Sequence, residues 1–236
     1  MATFVVAHGA WSAGWAWKKM RARMAERGHV LVTPTHTGLG ERAHLLNRDV
    51  DLELHIADIL GVLEFEDLTD VIMIGHSYGG MVATGVADRA RERVSAVIYV
   101  DAHVPRDGDS ISTLTPERFE RMKKLADEKG EGWKIPPTEM PDDTSDEDRE
   151  WAMPRRKPQP IKAFEQPLKF HHGELTVPRI YVYCTRIRPG DHFRQYLERA
   201  REEGWDIYEM DSSHNPHINI PDELTDILDE ISKAIS

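Results

Sequence analysis

Cysteine is nearly missing from this 236-residue chain: the single Cys184 excludes an intramolecular disulfide, and with it the stapled scaffolds of small secreted proteins. Long apolar runs are missing too. The N-terminal run Phe4 to Ala7 is too brief for the core of a secretory leader, and no stretch suits a membrane span, so a cytoplasmic protein is expected. Positive charge is in deficit, with 30 Lys and Arg against 41 Asp and Glu, a net −11. A surface of that balance repels phosphate backbones and anionic lipid, so neither nucleic acid nor membrane is an expected partner. Internal repeats and low-complexity tracts are also lacking. What remains, 40% hydrophobic and 30% charged residues, suits a folded chain with a polar surface, and the length fits one domain spanning residues 1–236.

Six short runs rich in β-branched residues stand out: Phe4 to Ala7, Val30 to Thr33, Val71 to Ile74, Ala96 to Val100, Ile180 to Cys184 and Ile207 to Met210. Between most of them apolar residues recur at helical spacing, as in Trp17, Met20 and Met24, in Ile56, Ile59, Leu60 and Leu63, and in Leu224, Ile227, Leu228 and Ile231. Alternation of strand and helix predicts an α/β fold, a mainly parallel sheet of about six strands covered on both faces, with its chemistry at the carboxyl ends of the strands. The rhythm fails between Val104 and Val177, which hold no convincing strand. A helix from Pro116 to Lys129, a Pro-rich acidic stretch and the anchors Trp133, Trp151, Phe164, Leu168 and Phe170 make this region an inserted cap, about 105–170.

Gly75-His-Ser-Tyr-Gly79 is a Gly-x-Ser-x-Gly match that directly follows a strand and precedes the helix-like Met81 to Ala90. A turn tight enough to lift a serine hydroxyl above a sheet leaves no room for Cβ on either side, and Gly75 and Gly79 supply that room. A glycine-rich turn with a helix-capping serine would use the same residue types. As a nucleophile, Ser77 requires an imidazole base and a carboxylate to orient it. His214 lies just past the last strand, in Asp211-Ser-Ser-His-Asn-Pro216, and is preferred for that position over its neighbour His217. Metal chemistry is disfavoured: His-Glu-x-x-His is absent, and Pro216 breaks the helical face that His214 and His217 would need as ligands.

His8-Gly9-Ala10-Trp11, Gly75-His-Ser-Tyr-Gly-Gly80 and the Ser-His near the C-terminus together resemble the α/β-hydrolase superfamily. The resemblance is to its small-cap branch of plant methylesterases and hydroxynitrile lyases and to the bacterial esterases related to them. It implies a serine esterase acting through Ser77, His214 and an acid, with the backbone amides of Ala10 and Tyr78 as oxyanion hole. It also implies that Pro34 to Arg42 forms a substrate-pocket rim. The plant members carry their acid in a Cys-Thr-acid sequence, whereas this chain reads Cys184-Thr-Arg186. Asp101, at a strand terminus, is the preferred replacement because it is held more rigidly than the alternative acid, Asp191, in a Pro-Gly loop.

The expected reaction is hydrolysis of a small apolar or aromatic carboxylic ester, without metal or organic cofactor. Trp11, Trp15, Tyr78, Trp133 and Trp151 are candidates for the pocket wall, while Trp17 reads as core. Lyase chemistry is disfavoured, because lyases of this branch carry a threonine and a lysine where this chain has Gly9 and Asn215. Acyl transfer to another acceptor, and a small-molecule-binding protein with a decayed site, stay as alternatives, and a homodimer is left open.

Overall fold

The computed structural model describes residues 1–186 and 191–235. Its strands, in chain order, are β1 (Thr3–Ala7), β2 (Val30–Val32), β3 (Val71–His76), β4 (Val94–Val100), β5 (Lys134–Ile135), β6 (Gln159–Pro160), β7 (Arg179–Cys184) and β8 (Asp206–Met210). The helices are α1 (Lys18–Glu26), α2 (Leu52–Phe65), α3 (Gly79–Arg89), α4 (Ile111–Leu114), α5 (Pro116–Lys129), α6 (Asp146–Ala152), α7 (Lys162–Glu165), α8 (Arg194–Glu202), α9 (Pro216–Asn219) and α10 (Pro221–Ala234). Six strands pair in parallel in the order β2-β1-β3-β4-β7-β8. This is the α/β architecture that the alternating pattern predicts and the fold that the resemblance implies, with every expected strand present and most lengthened by a residue or two.

Side chains along each strand alternate between two cores because successive Cβ atoms leave a strand on opposite faces. Val5, Met73, Val97 and Tyr99 join α2, α3 and α8 on one side. Phe4, Val6, Ile72, Ile74 and Ile98 join α1 and α10 on the other. The central strands are therefore apolar at consecutive positions, as β3 shows by being buried throughout.

Between β4 and β7 the chain forms α4 to α7 and one feature that was not expected, the antiparallel ribbon β5–β6. Two-residue strands carry no alternation to read, and Pro160 cannot donate to a ladder, so the pattern for a strand is missing from the residues that make it. Among the described residues no helix is long and apolar enough to cross a membrane.

Candidate active site

The carboxyl ends of β1, β3, β4 and β8 converge, and each carries a residue singled out from the sequence. Ser77 follows β3 with φ of +55°, and Asp101 follows β4 with φ of +42°. Trp11, in the turn after β1, has φ of +60°. Left-handed backbone at three non-glycine residues around one point is strain held by its surroundings, and such strain gathers where chemistry is done. The close approach that permits it is measurable at Gly79, where a Cβ would lie 1.9 Å from the Ala7 carbonyl oxygen, and at Gly75, where it would lie 2.8 Å from Gly80 Cα.

Ser77 Oγ donates to His214 Nε2 at 2.8 Å, and His214 Nδ1 donates to Asp101 Oδ2 at 2.7 Å. Both hydrogen bonds are within ordinary range and consistent with one neutral tautomer of His214. Burial pushes the Asp101 carboxyl up to about 7, and the nearby charge of Asp191 acts the same way. Asp191 itself is engaged elsewhere: its Oδ2 accepts from the Tyr183 hydroxyl at 2.5 Å and its Oδ1 from the Phe193 and Arg194 amides. His217 is buried, stacked on Trp17 at 4.6 Å. The Phe193 ring stacks on His214 at 5.0 Å, closing one face of the imidazole.

The amides of Ala10 and Tyr78 donate to no protein acceptor among the described residues. These two unpartnered amides lie in the turns after β1 and β3, one of them at the start of α3, where backbone N–H groups can receive a negatively charged oxygen. Both turns are pinned from behind. His8 Nδ1 donates to the Gly9 carbonyl and His8 Nε2 accepts from the His36 amide, while the Tyr78 hydroxyl donates to His55 Nδ1. His76 Nε2 donates to the His214 carbonyl at 2.7 Å. Desolvation holds these rings neutral: His8 and His76 fall to about 3 and His55 to about 4, while His36, His103 and His217 drop well below the ordinary range.

A cavity of about 520 Å³ opens beside Ser77 and His214. Trp11, Trp15, Met122, Met140, Phe193 and Ile218 supply most of its apolar wall. Of the tryptophans expected to line it, Trp11 and Trp15 do; Trp133 and Trp151 do not, nor does the Tyr78 ring. Residues 34–42 also stay out of the wall. Thr37 and Arg42 bond Asp58 on α2, which ties this loop down beside the sheet, so the expected substrate rim is corrected to a structural loop. Asp143 was not anticipated: its carboxylate accepts from the Ser213 amide at 2.9 Å and from Asn219 Nδ2 at 3.1 Å, anchoring the loop that carries His214. No motif announces it, because its partner is 70 residues away. Arg118 and Arg156 on the cavity wall were likewise unpredicted.

The pattern described as the alpha/beta hydrolase family matches residues 4–227. A carbendazim hydrolyzing esterase from Nocardioides sp. (strain SG-4G) is 38% identical, covering 97% of this chain and 98% of that protein. Methyl jasmonate esterase 1 of Vitis vinifera is 24% identical over 99% of this chain and 97% of its own length. An extracellular alpha/beta-hydrolase from a Paenibacillus species, described as sharing homology with tobacco salicylic acid binding protein 2, superposes with a TM-score of 0.84. It is 23% identical and covers 98% of each chain, a likeness of fold.

Proposed function

From the premise that this chain belongs to the alpha/beta hydrolase family, as a carboxylic ester hydrolase, we propose that it cleaves small esters with apolar or aromatic parts through Ser77, His214 and Asp101. The observation that supports this reading most directly is the unbroken relay from Ser77 Oγ to His214 Nε2 and from His214 Nδ1 to Asp101, opening on the cavity.

In this mechanism His214 Nε2 takes the Ser77 proton as Oγ attacks the ester carbonyl carbon, and the carbonyl oxygen, now anionic, receives the amides of Ala10 and Tyr78. Nε2 then returns its proton to the departing alkoxide, leaving an acyl-enzyme. Water next gives a proton to Nε2 and attacks the acyl carbon, after which Ser77 leaves with that proton. Asp101 keeps His214 in the required tautomer and stabilises the imidazolium. Each oxyanion donor contributes about 3 kcal/mol to lowering the barrier. Residues about 105–170 act as a cap in this reading, since Arg118, Met122, Leu125, Met140, Ala152 and Arg156 from that stretch all reach the cavity.

Hydrolysis of p-nitrophenyl acetate tests the proposal. Turnover is expected, lost by about 10⁴-fold or more in Ser77→Ala and in His214→Ala and unaffected by a chelator. Full activity in Ser77→Ala would refute the nucleophile, and inhibition by chelator would point to a metal-dependent reaction.

A further inference from the structure

The cavity carries a charge pattern that cleavage of a plain neutral ester does not call for. In a chain of net charge −11, four arginines line this one space: Arg118, Arg121, Arg156 and Arg186. Arg186 is already paired with Asp211, and Arg121 lies exposed. Arg118 and Arg156 are different. Each is partly buried and faces the cavity, and neither meets a carboxylate within 4.0 Å among the described residues.

Arg118 projects from α5 and donates to Nε2 of the His192 ring, which holds it at the wall. Arg156, just past α6, lies over the Trp11 ring at 5.6 Å, with its Nε buried and without a partner. Among the described residues, the carboxylates that share the wall form no ion pair with them. Asp101 serves His214, Asp191 is held by Tyr183 and two amides, and Glu139, exposed on the wall, acts on Arg156 through its charge but without an ion pair within 4.0 Å. Burial lowers both guanidiniums to about 10, which leaves them charged at neutral pH. An unpaired, partly desolvated guanidinium is costly unless it binds something, and its planar fork fits a carboxylate with two parallel charge-assisted hydrogen bonds.

We propose that Arg118 and Arg156 form an anion-recognition site within the cavity, and that the substrate is an ester bearing a separate carboxylate, such as a half ester of a dicarboxylic acid. This rests on the ester-hydrolase reading above. The apolar wall then holds the body of the substrate, the arginines its carboxylate, and Ser77 meets the ester carbonyl.

Two matched substrate pairs test this without assuming which side of the ester carries the charge. They are monomethyl terephthalate against methyl 4-methylbenzoate, and 4-acetoxybenzoate against 4-methylphenyl acetate. The wild-type kcat/KM is expected to favour the anionic member of at least one pair by about tenfold or more, as charge-assisted hydrogen bonds of this kind support. That ratio collapses in Arg118→Gln/Arg156→Gln and returns in part in Arg118→Lys/Arg156→Lys. A purely structural role would lower both members together and leave the ratio intact, which overturns the proposal, as does a wild type without preference. Titration of Ser77→Ala with benzoate and with benzyl alcohol reads the site apart from turnover. Benzoate should bind more tightly, and the two arginine replacements should abolish the difference; equal binding overturns the site. Turnover of p-nitrophenyl acetate without anion preference sinks the arginine site alone. Selective benzoate binding that depends on the arginines, with no ester turned over, leaves the site standing and sinks the hydrolase reading.

Discussion

Acid should unfold this protein at a pH far above the carboxylate range, because six histidines are buried in neutral form around the site. His8, His36, His55, His76, His103 and His217 are each at most 4% exposed. In the unfolded chain each ring has an ordinary value near 6.5, whereas in the folded chain desolvation brings His8 and His76 to about 3 and His55 to about 4, and lowers the other three as well. Between pH 7 and 5 the unfolded chain therefore binds protons that the folded chain refuses, and stability falls as pH falls. His8, His55 and His76 cost about 1.9 kcal/mol each over that interval, about 6 kcal/mol together, and His36, His103 and His217 add to the loss in the same direction. Asp101 works in the opposite direction. Its folded value, raised to about 7, favours the folded state on acidification by about 2 kcal/mol. The rings with known values, less Asp101, leave a net loss of about 4 kcal/mol, a large share of the whole stability of a typical domain, and the other three rings deepen it, so acid unfolding is expected well above the carboxylate range.

Urea unfolding followed by circular dichroism at pH 7.5, 6.5, 5.5 and 5 measures this directly. His36→Leu is the diagnostic variant, because both His36 ring nitrogens lack partners and its removal orphans none. It should lose measurably less stability than wild type between pH 7 and 5. A free energy of unfolding flat to within about 2 kcal/mol over this range would refute the claim that the rings are neutral and desolvated.

Three further outcomes follow from the same geometry. Asp101→Asn should lower kcat by about 10⁴-fold, because the imidazole loses the acceptor that selects its tautomer, while Asp191→Asn should cost about tenfold or less; equal losses would contradict the relay. The Asp101–His214 pair, with Asp101 raised to about 7, should also give wild-type kcat/KM an acid limb near neutrality, since a proton taken up by the pair removes the base. Gly79→Ala places a Cβ 1.9 Å from the Ala7 carbonyl oxygen, so a loss of about 3 kcal/mol or more in urea unfolding is expected at pH 7.5; a variant of wild-type stability would mean that the turn relaxes freely.

Much of this arrangement is legible along the chain. The strands announce themselves because burial on both faces demands continuous β-branched runs, and the serine turn because glycine is the only residue that fits against Ala7. Rigidity favours Asp101 over Asp191 as the acid, and in the structure the Asp101 carboxylate accepts from His214 Nδ1. Other features leave no local trace. Trp15 lines the cavity while Trp151, similar in type and local setting, packs edge-on against it outside the wall. The glycine loop at 34–42 looks like a rim but is drawn away by Asp58. Asp143, Arg118 and Arg156 sit in a segment whose charge pattern resembles any solvated surface.

Local order along the chain thus determined what depends on backbone sterics and burial: six parallel strands, a sharp turn at Ser77, and a histidine delivered to the same edge by β8. Only the folded molecule decided which carboxylate meets that histidine, which aromatic rings face the cavity, and where two arginines stand without a carboxylate partner among the described residues. The physical reason is distance along the chain. Propensity and periodicity act over a few residues, whereas the hydrogen bonds that join Ser77, Asp101 and Asp143 to the His214 loop span 70 to 137 residues and exist only once the sheet has assembled.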